Sequence, residues 1–278
     1  MMSPVRTNFP ADPNRVDQII RDIAKAEVMP RFRNLDASDI TEKSPKNYVT
    51  TADIEAEKRL AIELTALIPG SVAIGEESVE DDPSLLDELN NASPVWILDP
   101  VDGTGNFAAG KACFALIVAY CVGGETLAGW IHDPINDVTV WAIKGQGAWI
   151  GDQRLKIDDT VPIGQMSGSL GPRLRHRMCH TWGYAEDDGR LTRYKCVGME
   201  YLDLARGVLH FARYAGKIKP WDHAAGILIH TEAGGYSQLS GGITGDYQTT
   251  AGIIDNSSLL LAPNSPAWAQ LHATIGEP

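Results

Sequence analysis

Five apolar segments follow one another between Trp96 and about Ile150: VWILD, CFALIVAYCV, TLAGWIH, VTVWAI and GAWI. Gly-Gly, Asp-Pro-Ile-Asn-Asp and Lys-Gly-Gln-Gly separate them, the turn signals of antiparallel neighbours. A meander of this kind must bury a sheet face, so it restricts the fold more than any other feature. Helical periodicity flanks it. Val16, Ile19, Ile20 and Ile23 predict a helix over residues 13–28, and Ile54, Leu60, Ala61, Leu64, Leu67 and Ile68 predict one over 53–68, stopped by Pro69-Gly70. SVAIGEES reads as a short strand leaving into an acidic turn, and residues 79–93 as partly helical. The polar, Arg-rich stretch 151–195 shows no clear period. Helical spacing returns in MEYLDLARG and in HAAGILIHTEAGG, with Gly234-Gly235 as a C-cap pair. Helices, a meander, then alternating helices and strands predict an α+β fold of stacked sheet and helix layers.

With 278 residues, 44% of them hydrophobic, the chain is long enough for a sizeable core and is neither fibrous nor disordered in composition. A net charge of −12 argues against nucleic acid as the main partner. No apolar run approaches the roughly 20 residues that span a bilayer, so no membrane partner is expected. The start, MMSPVRTNFPADP, lacks the apolar centre of a secretory signal. Cys113, Cys121, Cys179 and Cys196 follow no framework spacing, which fits reduced thiols and a cytoplasmic location.

The first strand runs into WILDPVDGTGNF, residues 96–107. Asp99 and Asp102 stand three apart with Pro100 stiffening the turn, and two anions held so close repel unless protonated or bridged by cations. Oxygen ligands without Cys or His nearby suit a hard ion such as Mg²⁺. Gly103, Thr104 and Gly105 let backbone N–H groups approach a phosphate. Other carboxylates also sit where elements begin or end: Asp53, Glu76-Glu77 and Asp222. Asp53 and Asp222 read equally well as helix caps, with Glu55 and Glu57 complementing the dipole, and Glu76-Glu77 as solvated turn acids. His176, Cys179 and His180 share a helix face but lack a fourth zinc ligand. Trp130, Trp141 and Trp149 read as meander core rather than a carbohydrate platform.

Taken in order, GEES at 75–78, WILDPVDGTGNF at 96–107 and PWDHAAGILIHTEAGG at 220–235 resemble the inositol monophosphatase family. That family lies in the Mg²⁺-dependent, lithium-sensitive phosphatase superfamily that includes fructose-1,6-bisphosphatase. The resemblance covers most of the chain. It implies a layered αβαβα sandwich forming one domain over 1–278, with an N-terminal α+β half to about 150 and a C-terminal α/β half from about 151. It implies a homodimer, two or three Mg²⁺ ions per site, and hydrolysis of a small phosphorylated metabolite by metal-activated water. Carried over by position, the metal ligands are Glu76, Asp99, the Val101 carbonyl, Asp102 and Asp222. Asp53 and Thr104 orient the attacking water, and Glu76 attends a third ion. Lys43, Gly103, Thr104, Gly198 and Asp222 lie against the substrate.

Two departures leave the substrate open. Many inositol-specific members carry an acid before the last motif, where HFARYAGKIKP offers Arg213, Lys217 and Lys219 instead. The glycine-led loop reads Val197-Gly198-Met199-Glu200, so Glu200 either faces the substrate or is a solvent-facing helix acid. An inositol-phosphate-like or other sugar phosphate, histidinol phosphate, and a sugar or nucleotide bisphosphate all fit. The last would use basic residues such as RLRHR at 173–177, which reads equally as a solvated face or subunit contact. A catalytically silent regulatory or binding subunit is the alternative of another class. The complete set of Asp53, Glu76, Asp99, Asp102, Thr104 and Asp222 weighs against it.

Overall fold

A computed structural model describes residues 9–45, 47–185 and 189–276. The first eight residues, which carry most of the segment read above for a leader, lie outside them. The helices are α1 (Pro13–Ile23), α2 (Thr51–Leu67), α3 (Glu76–Asp81), α4 (Thr104–Ala108), α5 (Pro172–Trp182), α6 (Val197–Ala205), α7 (Pro220–Glu232) and α8 (Ser265–Ile275). A ribbon, β1 (Ile40–Ser44) and β2 (Asn47–Thr50), precedes α2. Seven strands then form one sheet in sequence order: β3 (Val72–Gly75), β4 (Pro94–Asp102), β5 (Ala115–Val122), β6 (Glu125–Asp133), β7 (Val138–Ile143), β8 (Gly147–Ile150) and β9 (Gln153–Arg154). Only the β3–β4 pair is parallel. β10 (Gly168–Ser169), β11 (Leu191–Thr192), β12 (Phe211–Ile218), β13 (Tyr236–Gly241) and β14 (Ile254–Ala262) make a second sheet, ordered β11-β10-β12-β14-β13.

The period-2 alternation of the strands decides the layers. On β4 and β5, Trp96, Leu98, Leu116, Val118 and Tyr120 meet Ile20 and Ile23 of α1 and Leu60 and Leu64 of α2. Their neighbours Val95, Ile97, Ile117 and Ala119 face the other way, onto Tyr201 and Leu202 of α6 and Ala225 and Ile229 of α7. Leu259 and Leu261 of β14 close that central core from the second sheet, while Leu260 and Phe211 turn outward to Met178 of α5 and Leu271 of α8. The order is therefore α1/α2, sheet, α6/α7, sheet, α5/α8, the expected αβαβα arrangement. The helix expected over 13–28 is α-helical only to Ile23 and widens into a π-turn over Ala24–Val28. The featureless stretch 151–195 contributes α5 and three two-residue strands, β9, β10 and β11, whose apolar contacts are too sparse to leave a period. Trp130 is fully buried, and Trp141 and Trp149 stack on each other with ring centroids 6.2 Å apart.

α7 can lie flat on the first sheet because the contact uses almost no side chain. A Cβ on Gly129 of β6 would stand 2.8 Å from Ala225 Cα, and one on Gly226 would stand 2.2 Å from the Tyr201 ring. This close approach sets the height at which the first turn of α7 arrives at the strand ends. Gly129→Val is expected to cost about 1–3 kcal/mol, as overpacking against backbone does, and to lower Tm by several degrees. A thermal melt unchanged from that of the parent would contradict this account of the contact.

Candidate active site

Four chain segments end at one place. The parallel register sets Gly75 opposite Leu98, so the residue after each, Glu76 and Asp99, emerges side by side. Pro220 opens α7 and puts Asp222 in its first turn. One ligand oxygen from each of Glu76, Asp99 and Asp222 lies within 4.8 Å of the others, the one such cluster of metal-ligating side chains among the described residues. Burial first, then the charges of Glu76, Asp102, Asp222 and Asp53, pushes the Asp99 carboxyl well above the ordinary range. Burial and Glu76 do the same to Asp222, against the opposing charge of Lys219. The Lys219 ammonium bonds Glu76 Oε1. Burial works against its charge, yet Glu76, Asp222 and Asp99 hold it above the usual lysine range. An all-oxygen donor set carrying more negative charge than one ammonium offsets fits a hard divalent cation. Sequence reasoning counted Lys219 only among the basic residues before the last motif. Its place as counter-charge to the acids was not readable without the turn into α7.

Asp53 both caps its helix and reaches the site. Its Oδ2 accepts from the Thr50 N–H at 2.8 Å and Thr50 Oγ1 at 2.5 Å, closing the capping box of α2. Its Oδ1 accepts from Thr104 Oγ1 at 3.1 Å, and that hydroxyl also lies 3.0 Å from the Val101 carbonyl. Burial raises the Asp53 carboxyl to about 6 despite these hydrogen bonds. Gly103 adopts φ +88°, and a Cβ there would press within 3.1 Å of the Cys113 carbonyl and Cys196, so glycine is required. The Asn106 and Phe107 N–H groups turn back to the Gly103 carbonyl at 2.8 and 3.0 Å, and the N–H groups of Thr104 and Gly105 before them are left without intrahelical partners.

Asp102 stands outside the three-carboxylate cluster. Its Oδ2 accepts from the Gly198 N–H at 2.5 Å and from Cys196 Sγ at 3.0 Å. Burial raises it to about 6, with Cys196, Gly198 and Val197 opposing. A Cβ on Gly198 would be 2.9 Å from Ala115 Cβ and 3.2 Å from Asp102 Oδ2, so this glycine lets the start of α6 press against Asp102. The Lys43 ammonium is engaged by Glu77 and Glu80. Glu200 differs from both expectations, since at 1% exposure it faces neither solvent nor an open cleft. Its Oε1 accepts from Ser169 Oγ at 2.6 Å and the Tyr194 N–H at 2.9 Å, because α6 turns that face toward the second sheet. Two further residues escaped the sequence reading. Glu57, read as a dipole acid, is buried and accepts from the Glu77 and Ser78 N–H groups at 2.9 and 2.8 Å, holding the turn that presents Glu76. Asn106 donates to the Cys113 and Tyr194 carbonyls, both at 2.9 Å, tying the turn to the segment before α6. Spacing carries no signal for either, although an acid one helical turn after Asp53 hinted at Glu57.

Comparison with known proteins gives the family and the fold. The chain is 30% identical to a fructose-1,6-bisphosphatase/inositol-1-monophosphatase of Thermotoga maritima over 68% of its length and 70% of the relative's. It is 31% identical to an inositol-1-monophosphatase of Rhizobium meliloti, over 74% and 77% of the two chains. Among solved structures, a Thermotoga maritima IMPase superposes with a TM-score of 0.73 at 21% identity, covering 94% of each chain. The suhB protein of Bartonella henselae does so with a TM-score of 0.70 at 24% identity, also over 94% of each. The description of the inositol monophosphatase family matches residues 14–274, and the chain belongs to that family.

Proposed function

We propose that the protein is a Mg²⁺-dependent phosphatase that hydrolyses a small phosphate monoester, and that it works as a homodimer. The observation that carries the reading is the Glu76–Asp99–Asp222 cluster beside the Asp53–Thr104 pair. Two or three Mg²⁺ ions would be held by Glu76, Asp99 and Asp222, with Asp102 and the Val101 carbonyl as the remaining ligands. When bound, such ions supply Lewis acidity toward a phosphate oxygen and toward water. The chain's own groups do the rest. Thr104 Oγ1, donating to Asp53, keeps lone pairs free to accept from a water and hold it in line with phosphorus. As the water oxygen bonds phosphorus and the ester oxygen departs, the water's proton passes through Thr104 Oγ1 to the Asp53 carboxylate, and the departing ester oxygen takes a proton from solvent water to leave as the alcohol. The unpaired N–H groups of Thr104 and Gly105 bind the non-bridging phosphate oxygens. The acids would repel a phosphate by themselves, so cation and substrate are acquired together.

Phosphate release should require Mg²⁺ on a panel of inositol 1-phosphate, histidinol phosphate, fructose 1,6-bisphosphate and an adenosine bisphosphate. Absence of Mg²⁺-dependent release from all four would favour the silent regulatory subunit instead. Asp222→Asn should melt no lower than the parent in chelator, because it removes one of three repelling carboxylates, yet lose most of the Mg²⁺-induced rise in Tm and nearly all turnover. A retained Mg²⁺ response would sink the metal assignment. Asp53→Asn should lower kcat by roughly 10²–10⁴, the usual worth of a positioned base, while leaving the Mg²⁺-induced Tm shift in place. A kcat within a few-fold of the parent would remove Asp53 from the water-positioning role.

A further inference from the structure

We propose that the Lys219 ammonium takes the place of a divalent ion on Glu76, so that the active centre is completed by two Mg²⁺ ions and one cation built into the chain. The inference rests on the metal-dependent reading of the site, which leaves the number of ions at two or three, and it fixes that number.

Lys219 sits at the junction of two elements. β12 ends at Ile218, whose place opposite Ile254 follows a break in register after Gly216. α7 begins at Pro220 with Lys219 itself as N-cap, at φ −99° and ψ 144°. Proline fixes its own φ and holds the residue before it in extended backbone, so the Lys219 Cα has little freedom. Two contacts then aim the side chain. Nζ lies 5.3 Å from the centroid of the Trp221 ring, within cation–π range, and on its other side it donates to Glu76 Oε1. The Lys219 side chain is 27% exposed and that of Glu76 18%, so the pair is only partly open to water. Among the described residues, no other Lys or Arg pairs with Glu76, Asp99 or Asp222.

An ammonium at this point competes with a metal ion. A carboxylate has two oxygens, and Lys219 holds Oε1, which leaves Oε2 for an ion shared with Asp99 and Asp222. Mg²⁺ bonds oxygen at about 2.1 Å, so an ion placed on Oε1 as well would stand within roughly 5 Å of the ammonium and be repelled by it. The contest is unequal. Mg²⁺ sheds water reluctantly and must be captured from solution. The ammonium is carried on fixed backbone, at a local concentration no lower than the millimolar range of a flexible tether. The position that the resemblance gives to a third ion on Glu76 is therefore filled by the chain itself.

The test counts ions with Mn²⁺, which takes the same oxygen ligands as Mg²⁺ and whose free form is read by electron paramagnetic resonance. The parent should bind two Mn²⁺ per chain. Lys219→Met keeps the apolar stem over Trp221, and Lys219→Gln keeps a donor for Glu76 without the charge; each should bind three. Lys219→Arg, which restores a cation, should return the count to two. Lys217→Met, on an exposed position of β12, is the control for loss of a nearby positive charge and should also bind two. In chelator, Lys219→Met should melt several degrees below the parent, because its acids lose their counter-charge. Saturating Mn²⁺ should then raise its Tm by more than it raises the parent's. Should Lys219→Met fold poorly, Lys219→Gln carries the count. Three Mn²⁺ on the parent, or two on a folded neutral variant, would overturn the assignment. No Mn²⁺ on any of these proteins would overturn it together with the metal-dependent reading. The expected counts with no Mg²⁺-dependent phosphate release from any ester would overturn the phosphatase reading and leave the role of Lys219 standing.

Discussion

Repulsion among Glu76, Asp99 and Asp222 is the constraint around which the centre of this molecule is arranged. Like charges brought close to a common point, with burial added, raise the proton affinity of Asp99 and Asp222 and oppose the folding that gathers the three acids. The surrounding contacts bear that cost. The β3–β4 register, the bare contact of α7 on β6, and Glu57 under the α3 turn each fix one carboxylate through neutral packing or backbone hydrogen bonds. Lys219 supplies a single positive charge from inside the protein. A divalent cation completes the balance better than one ammonium can, which is why the fold and the chemistry share an origin.

Asp53 and Asp102 show how one side chain serves both stability and the site. Asp53 accepts from the N–H and hydroxyl of Thr50, the N-cap of α2, with one oxygen and holds Thr104 with the other. Asp102 ties the turn after β4 to the start of α6 through Gly198 and Cys196. Capping and ligation are therefore compatible uses of one carboxylate. The same economy appears at buried Glu200, which braces Ser169 of β10 and the segment that carries Arg193 and Lys195.

Much of the fold was legible because its signals are local. Strand alternation in β4 and β5, the helical faces of α1, α2 and α7, and the turns of the meander all follow from spacing within a few residues. The stretch holding α5, β10 and β11 was not legible, since two-residue strands leave no period and α5 buries little beyond Met178 and Cys179. Within the site, the acids at element ends were legible as a set. The burial of Glu200, the reach of Glu57 and the engagement of Lys43 by Glu77 and Glu80 were not. Each depends on a partner from 20 to 37 positions away, or on which side of a helix meets a second layer.

By itself the sequence determined the layered α+β class, the acidic turns and the glycine that the turn after Asp102 demands, because periodicity, charge and backbone sterics act between near neighbours. Tertiary structure alone decided which of those acids meet, that Asp102 turns to Gly198 while Asp99 joins Glu76 and Asp222, and that Arg173, Arg193, Lys195 and Arg213 share one pocket. Those groupings join side chains from α3, β4 and α7, or from α5, β12 and the segment before α6. Electrostatic free energy depends on distance in space, and only the packing of the layers sets those distances.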